Sequence, residues 1–237
     1  MQDPYEKMFG QYSQNDGTVD FYTRLNCFIK PEFVVLDLGA GRAGWFEDDK
    51  NEFRTRIRTL KNKVKEVIAV DVDPAVLENQ ASDRQIIMDS DRIPLPDESV
   101  DIVIADYVLE HIENPRDFCG EVNRVLKSGG LFCARTPHKF CYIAIISWLV
   151  SNAYHSKWLR FIQPDRKDMD IFPTRYKLNT LWQINNYFGA YRNESFIYRA
   201  DPAYFFGNPL LYRIQLLLHR LAPAFFIGNI FVFARKI

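Results

Sequence analysis

The chain has 237 residues, 47% of them apolar and 25% charged, with 30 Lys and Arg balancing 30 Asp and Glu. That composition excludes a disordered chain and suffices for one packed domain, while the zero net charge argues against an obligate nucleic-acid binder. Cys27, Cys119, Cys133 and Cys141 show no C-x-x-C spacing and read as reduced thiols, and the polar start MQDPYEKMFG is no signal peptide, so a cytoplasmic protein is expected.

The first apolar run, 34–38, reads VVLDL and suits a strand covered on both faces. It leads into LGAGRAG, a literal G-x-G-x-x-G, with a helix expected from about Ala43. The charge-rich stretch 47–65 carries Phe53, Ile57, Leu60 and Val64 at helical spacing. Strands are expected at 67–70, 85–88, 101–105 and 131–135, with a Pro-initiated helix after Asp73, a helix at 116–126 and a turn at 128–130. Later elements are helices at 178–188 and 209–221 and strands at 195–198 and 231–233. The apolar run 140–150 is too short to cross a bilayer, which needs about 20 residues, and reads as a buried or cap helix.

Strand and helix alternate, which predicts an α/β sheet with parallel central strands and a ligand crevice beyond their carboxyl ends. Those ends carry Asp37, Asp71, Asp89 and Asp106, followed by Pro137 and His138. The acids discriminate between cofactors. A pyrophosphate needs backbone N–H groups and no neighbouring carboxylate, whereas Asp37, two residues before Gly39, would attract an ammonium or sulfonium. Asp71 closes the second strand, where a carboxylate accepts both hydroxyls of a ribose. Asp89 and Ser90 offer an acceptor and a backbone donor for an adenine edge. Asp73 reads as a helix cap.

Four blocks in order, VVLDLGAGRAG, VIAVDVDP, IIMDSDRIPLPDESVDIVIADYVLEHIENP and EVNRVLKSGGLF, resemble the class I S-adenosylmethionine-dependent methyltransferases. The resemblance spans about residues 30–137. It implies a Rossmann-like, doubly wound seven-stranded sheet, mostly parallel with an antiparallel last strand, plus a helical cap insertion. One domain, 1–237, would then hold a cofactor-binding core at 30–137 and a cap and substrate region at 140–223 that includes late core elements. It also implies S-adenosyl-L-methionine as cofactor and no metal. Asp37, Gly39 and Gly41 would line the methionine portion, Asp71 the ribose, Asp89 the adenine amine and Asp106 the sulfonium side. Ala40, Val72, Ser90 and Tyr107 belong to the same expected pocket. The chain departs from the family's usual G-x-G-x-G at Ala43, where the third glycine would stand.

For the acceptor, His138 and His111 are the candidate bases, since a histidine titrates near neutral pH. His155 and His219, in apolar stretches, read as structural. The stretch Ala105-Asp106-Tyr107-Val108 lacks the (D/N)-P-P-(Y/F) of enzymes acting on nucleic-acid amines, so no nucleic-acid partner is expected. Family members with L-E-H-I-x-x-P mostly act on small molecules, often at oxygen, and segment 170–180 is similar to methyltransferases of surface-polysaccharide synthesis. A small-molecule or glycan hydroxyl is therefore the expected acceptor, with Arg160, Arg166, Lys167, Arg175 and Lys177 as candidate contacts for an acidic group. Two alternatives stand beside it. One is an NAD(P)-dependent oxidoreductase, on the strength of the G-x-G-x-x-G. The other is a non-catalytic binding protein or a peripheral membrane protein that uses 140–150 and 209–221 for weak membrane contact. The sequence leaves the oligomeric state open.

Overall fold

The computed structural model describes residues 9–88, 92–149, 173–202 and 208–237. An eight-stranded sheet organises them in the order β3-β2-β1-β4-β5-β8-β6, with β7 also paired to β8. The strands are β1 (Val34–Leu38), β2 (Glu66–Asp71), β3 (Arg84–Ile87), β4 (Val100–Asp106), β5 (Leu126–Pro137), β6 (Tyr191–Asn193), β7 (Phe196–Tyr198) and β8 (Asn229–Lys236). β1 to β5 run parallel, and β8 runs antiparallel to β5. The strand order reverses at β1 and β4, the switch point where such sheets open a crevice.

Alternation along the strands splits the core between two faces. Val35, Ile102, Ile104, Leu131, Cys133, Phe231 and Phe233 face Phe21 and Leu25 of α1 (Gly17–Asn26). Leu36, Val103, Phe132 and Val232 face the other way, onto Val122 and Val125 of α4 (Pro115–Val125). Helix α1, for which the sequence carried no clear signal, begins at Asp16, whose carboxylate accepts from the amides of Thr18 and Val19 at 2.8 and 3.0 Å.

Several expectations need correction. The strand expected at 195–198 is β7, and an additional strand, β6, precedes it. β6 pairs with Ala234–Lys236 and β7 with Asn229–Phe231, so two short strands share one edge of β8 and the sheet counts eight. The helix expected over 47–65 is broken into α2 (Trp45–Asp48) and α3 (Glu52–Arg58). Asn51 restarts the chain as a cap, accepting from Arg54 N at 3.0 Å while its amide donates to the carbonyls of Gly10 and Gln11. Leu60 and Val64 are buried from beyond the helix. The element after Asp73 is a 3-10 turn, Pro74–Glu78, capped by the Asp73 side chain as expected. The turn at 128–130 is a bulge inside β5: Val100 pairs with Leu126 and Ile102 with Leu131, and Gly129 takes up the slack at φ 76°.

The other helices of the described residues are α5 (Tyr142–Leu149), α6 (Leu181–Tyr187), α7 (Pro209–Leu221) and α8 (Ala224–Ile227). Among the described residues no helix is long and apolar enough to cross a membrane.

Candidate active site

The glycine loop is built before any ligand arrives. Gly39 turns the chain at φ 72°, and a Cβ there would come within 2.5 Å of Val108 Cγ2, so only glycine lets β1 pass so close to the end of β4. The amides of Gly39 and Ala40 donate to Val70 O at 2.7 and 3.3 Å. The Gly41 amide donates to Asp71 Oδ2 at 2.8 Å, and the Asp73 amide to Oδ1 at 2.9 Å. Each carboxylate oxygen of Asp71 keeps a second acceptor site, enough for two hydroxyls. Ala43, standing where the family has glycine, adopts the left-handed φ of 52° and is buried. The loop thus keeps the glycine conformation without the glycine.

Asp37, Asp71, Asp106 and Arg135 all lie on the α1 side of the sheet, in step with Val35, Val67, Ile104 and Cys133. Asp37 is half-buried, and no described residue donates a hydrogen bond to it. Burial raises its pKa to about 7, with Asp106 and Asp71 adding to the rise and Arg58 opposing it. Asp106 has the opposite fate. Arg135 Nε and Nη2 grip its two oxygens at 2.8 Å each, Tyr22 of α1 donates to Oδ2 at 3.1 Å, and Arg58 Nη2 lies 3.8 Å away. Burial alone would raise the Asp106 pKa, but the Arg135 pair and these hydrogen bonds outweigh it and hold it below the usual carboxylate value. Arg135 also donates to Thr18 Oγ1 at 2.9 Å and lies 4.7 Å from the Tyr107 ring. Asp106 is therefore an internally neutralised wall of the crevice. Arg135, Tyr22 and Arg58 did not stand out in the sequence; the shared pleat parity of 104, 106, 133 and 135 was the available signal.

The two candidate bases differ in tautomer. His138 is buried, its Nδ1 accepts from the Phe140 amide at 3.2 Å, and burial lowers its pKa. In the neutral ring the proton then sits on Nε2, making His138 a donor. His111 Nδ1 lies 3.1 Å from Pro173 O, which can only accept, so the neutral ring carries its lone pair on Nε2. Glu110, beside His111 in the chain, did not stand out in the sequence either. It is buried, accepts from Thr136 Oγ1 at 2.8 Å, and burial raises its pKa to about 7. Asn179 completes this knot by donating to Thr136 Oγ1 at 2.5 Å.

Val72 and Tyr107 are both exposed large side chains at strand ends, and Tyr107 takes the left-handed φ of 59° with its hydroxyl accepting from Asn229. Arg175 and Lys177 both pair with Glu113, so these two cations are solvated partners of one carboxylate. His219 Nδ1 lies 3.2 Å from Ala200 O. Asp89, Ser90, His155, Arg160, Arg166 and Lys167 lie outside the described residues, as does much of the expected cap. Among the described residues no group of His, Cys, Asp or Glu could hold a metal.

The donor set fits an adenosine carrying a cationic sulfur. An unneutralised carboxylate beside the glycine loop suits a positive charge and opposes a phosphate, and Asp71 presents two acceptor sites one strand away.

Residues 52–134 match the family described as methyltransferase domain. A 50-residue stretch is 42% identical to a probable S-adenosylmethionine-dependent methyltransferase of Mycolicibacterium smegmatis, covering 21% of this chain and 20% of that protein. An 82-residue stretch is 35% identical to one of Mycobacterium tuberculosis, covering 33% of this chain and 30% of that protein, so the matched stretches span less than a third of these relatives. The crystal structure of a methyltransferase of the same cofactor class from Archaeoglobus fulgidus superposes with a TM-score of 0.55 at 15% identity, covering 93% of each chain, a likeness of fold. The matched stretch is thus similar in sequence to a methyltransferase domain, and the sheet shares its fold with S-adenosylmethionine-dependent methyltransferases.

Proposed function

We propose that the protein transfers a methyl group from S-adenosylmethionine to a hydroxyl of a small molecule or glycan. The bound cofactor supplies an electrophilic methyl on a positively charged sulfur, open to in-line displacement. Asp37 carries this reading: a half-buried carboxylate, without a described donor, beside a preformed glycine turn. It binds the cationic end of the cofactor, Asp71 accepts from the ribose hydroxyls, and exposed Val72 offers an apolar face to the adenine. The paired Asp106 and Arg135 form a wall with no net charge, on which an acceptor can lie without a compensating proton.

His111 Nε2 takes the proton of the acceptor hydroxyl, and His138 Nε2–H donates to a neighbouring oxygen of the acceptor. Positioning provides the greater share of catalysis, about 7–11 kcal/mol, against about 10²–10⁴-fold from a base. Calorimetry tests the reading. S-adenosylhomocysteine should bind and raise the melting temperature while NADH does neither; binding of NADH with the reverse preference would overturn it.

A further inference from the structure

Helix α7 exposes a long apolar stripe beside the mouth of the crevice. Leu210, Ile214, Leu217, Leu218 and Leu221 recur at helical spacing and are each between 49% and 78% exposed. Phe225 and Phe226 of α8 extend the stripe, and the Phe225 ring lies 6.1 Å from that of His138. The opposite side of α7 is fastened to the body. Tyr212 is buried, His219 meets the Tyr142 ring at 5.7 Å, and Asn208 caps the helix. The stripe is therefore the outer face of a fixed helix.

The charges that the helix itself carries have one sign. The sequence of α7, PLLYRIQLLLHRL, contains no acid. Arg213 and Arg220 are exposed, one heptad apart, and flank the stripe. Arg199, also exposed, caps the helix end by donating to the carbonyls of His219 and Ala222 at 2.7 and 2.8 Å. Asp201 acts on Tyr212 and His219, on the side of the helix turned away from the stripe, and accepts from the backbone and side chain of Asn15 at 3.0 and 2.9 Å. An apolar stripe edged by cations and free of carboxylates is the pattern of a helix lying in an anionic lipid interface. An acidic protein partner would supply discrete carboxylates but would not need seven exposed apolar side chains continued onto a second helix.

We propose that α7 and α8 dock this protein onto a membrane surface rich in anionic lipid, with the apolar stripe at the acyl boundary and Arg213 and Arg220 at the headgroups. Through Phe225, docking brings the His138 end of the crevice against the lipid. The proposal is separate from the methyltransfer reading, because its test reads lipid binding and not turnover.

The full chain is floated with vesicles of phosphatidylcholine alone and with vesicles containing about a third phosphatidylglycerol, at low and high salt. Flotation is expected with the anionic vesicles and is expected to weaken with salt. Leu217→Glu and Leu221→Glu, both on exposed positions, should abolish it while leaving the melting temperature unchanged. Arg213→Glu with Arg220→Glu should weaken it about tenfold or more. Three results would each overturn the proposal: no flotation, equal flotation on neutral vesicles, or a dimer in light scattering that Leu217→Glu disperses.

Discussion

Asp37 and Asp106 end neighbouring strands of one sheet, on the same face, and live in opposite electrostatic worlds. Asp106 is gripped by Arg135 with bidentate geometry and stays ionised. Asp37 has no such partner, and burial brings its pKa to about 7. The β4–β5 side of the crevice is thus neutralised by the protein alone, whereas the β1–β2 side holds a carboxylate without a described hydrogen-bond donor. A buried carboxylate without a partner destabilises the folded chain, and such a group is retained where it recognises something.

The largest way to break this comparison is Arg135→Leu. It leaves Asp106 buried with only the Tyr22 hydrogen bond and the more distant Arg58, and should cost about 3 kcal/mol in a denaturant melt. Adding Asp106→Asn should recover most of that loss if the pair is structural. On the open side, Asp71→Ala should weaken S-adenosylhomocysteine by about 1.5–3 kcal/mol in calorimetry, the range for hydrogen bonds to a charged group.

The third prediction concerns pH. Asp37 has a raised native pKa, about 7 against an ordinary 3.8, so the folded chain holds a proton that the unfolded chain releases. Stability of the free protein therefore falls as pH rises between those values, while affinity for the cationic cofactor rises. Below 7, calorimetry with S-adenosylmethionine should show about tenfold weaker binding per pH unit. Asp37→Asn should remove that slope and raise the melting temperature at pH 8. Glu110, also raised to about 7, contributes to the stability trend, and Glu110→Gln should leave the binding slope intact. The smallest effect is Ala43→Gly, which relieves a left-handed alanine and should add about 1 kcal/mol of stability. Unchanged cofactor affinity in that variant would show that the loop is already in its binding shape.

The central strands were legible because burial on both faces writes them as unbroken apolar runs, as at 34–38. The glycine turn was legible because its geometry is local in the chain, and Asp71 because it closes the unbroken apolar run of β2. Helix α1 was not, since its apolar face is carried by little more than Phe21, Tyr22 and Leu25. The helix break at 49–51 was hidden for another reason: Asn51 caps Arg54 locally, but its side chain is held there by donating to Gly10 and Gln11, forty residues away in sequence. The Asp106 pair was equally hidden, because Arg135 lies 29 residues on and Tyr22 84 residues back. The chemistry of one wall of the crevice is decided by contacts that no short motif spells.

The knot of Glu110, Thr136 and Asn179 has an evolutionary consequence. Just after Thr136 the chain leaves the sheet, and at Asn179 it is fastened again, with the Lys139 amide donating to Asn179 O at 2.8 Å. The departure and the return are clasped together at the base, like the two ends of a drawstring. A segment held at both ends can change in length at little closure cost. Changes beyond that clasp can therefore leave β5, which carries Arg135, in its place.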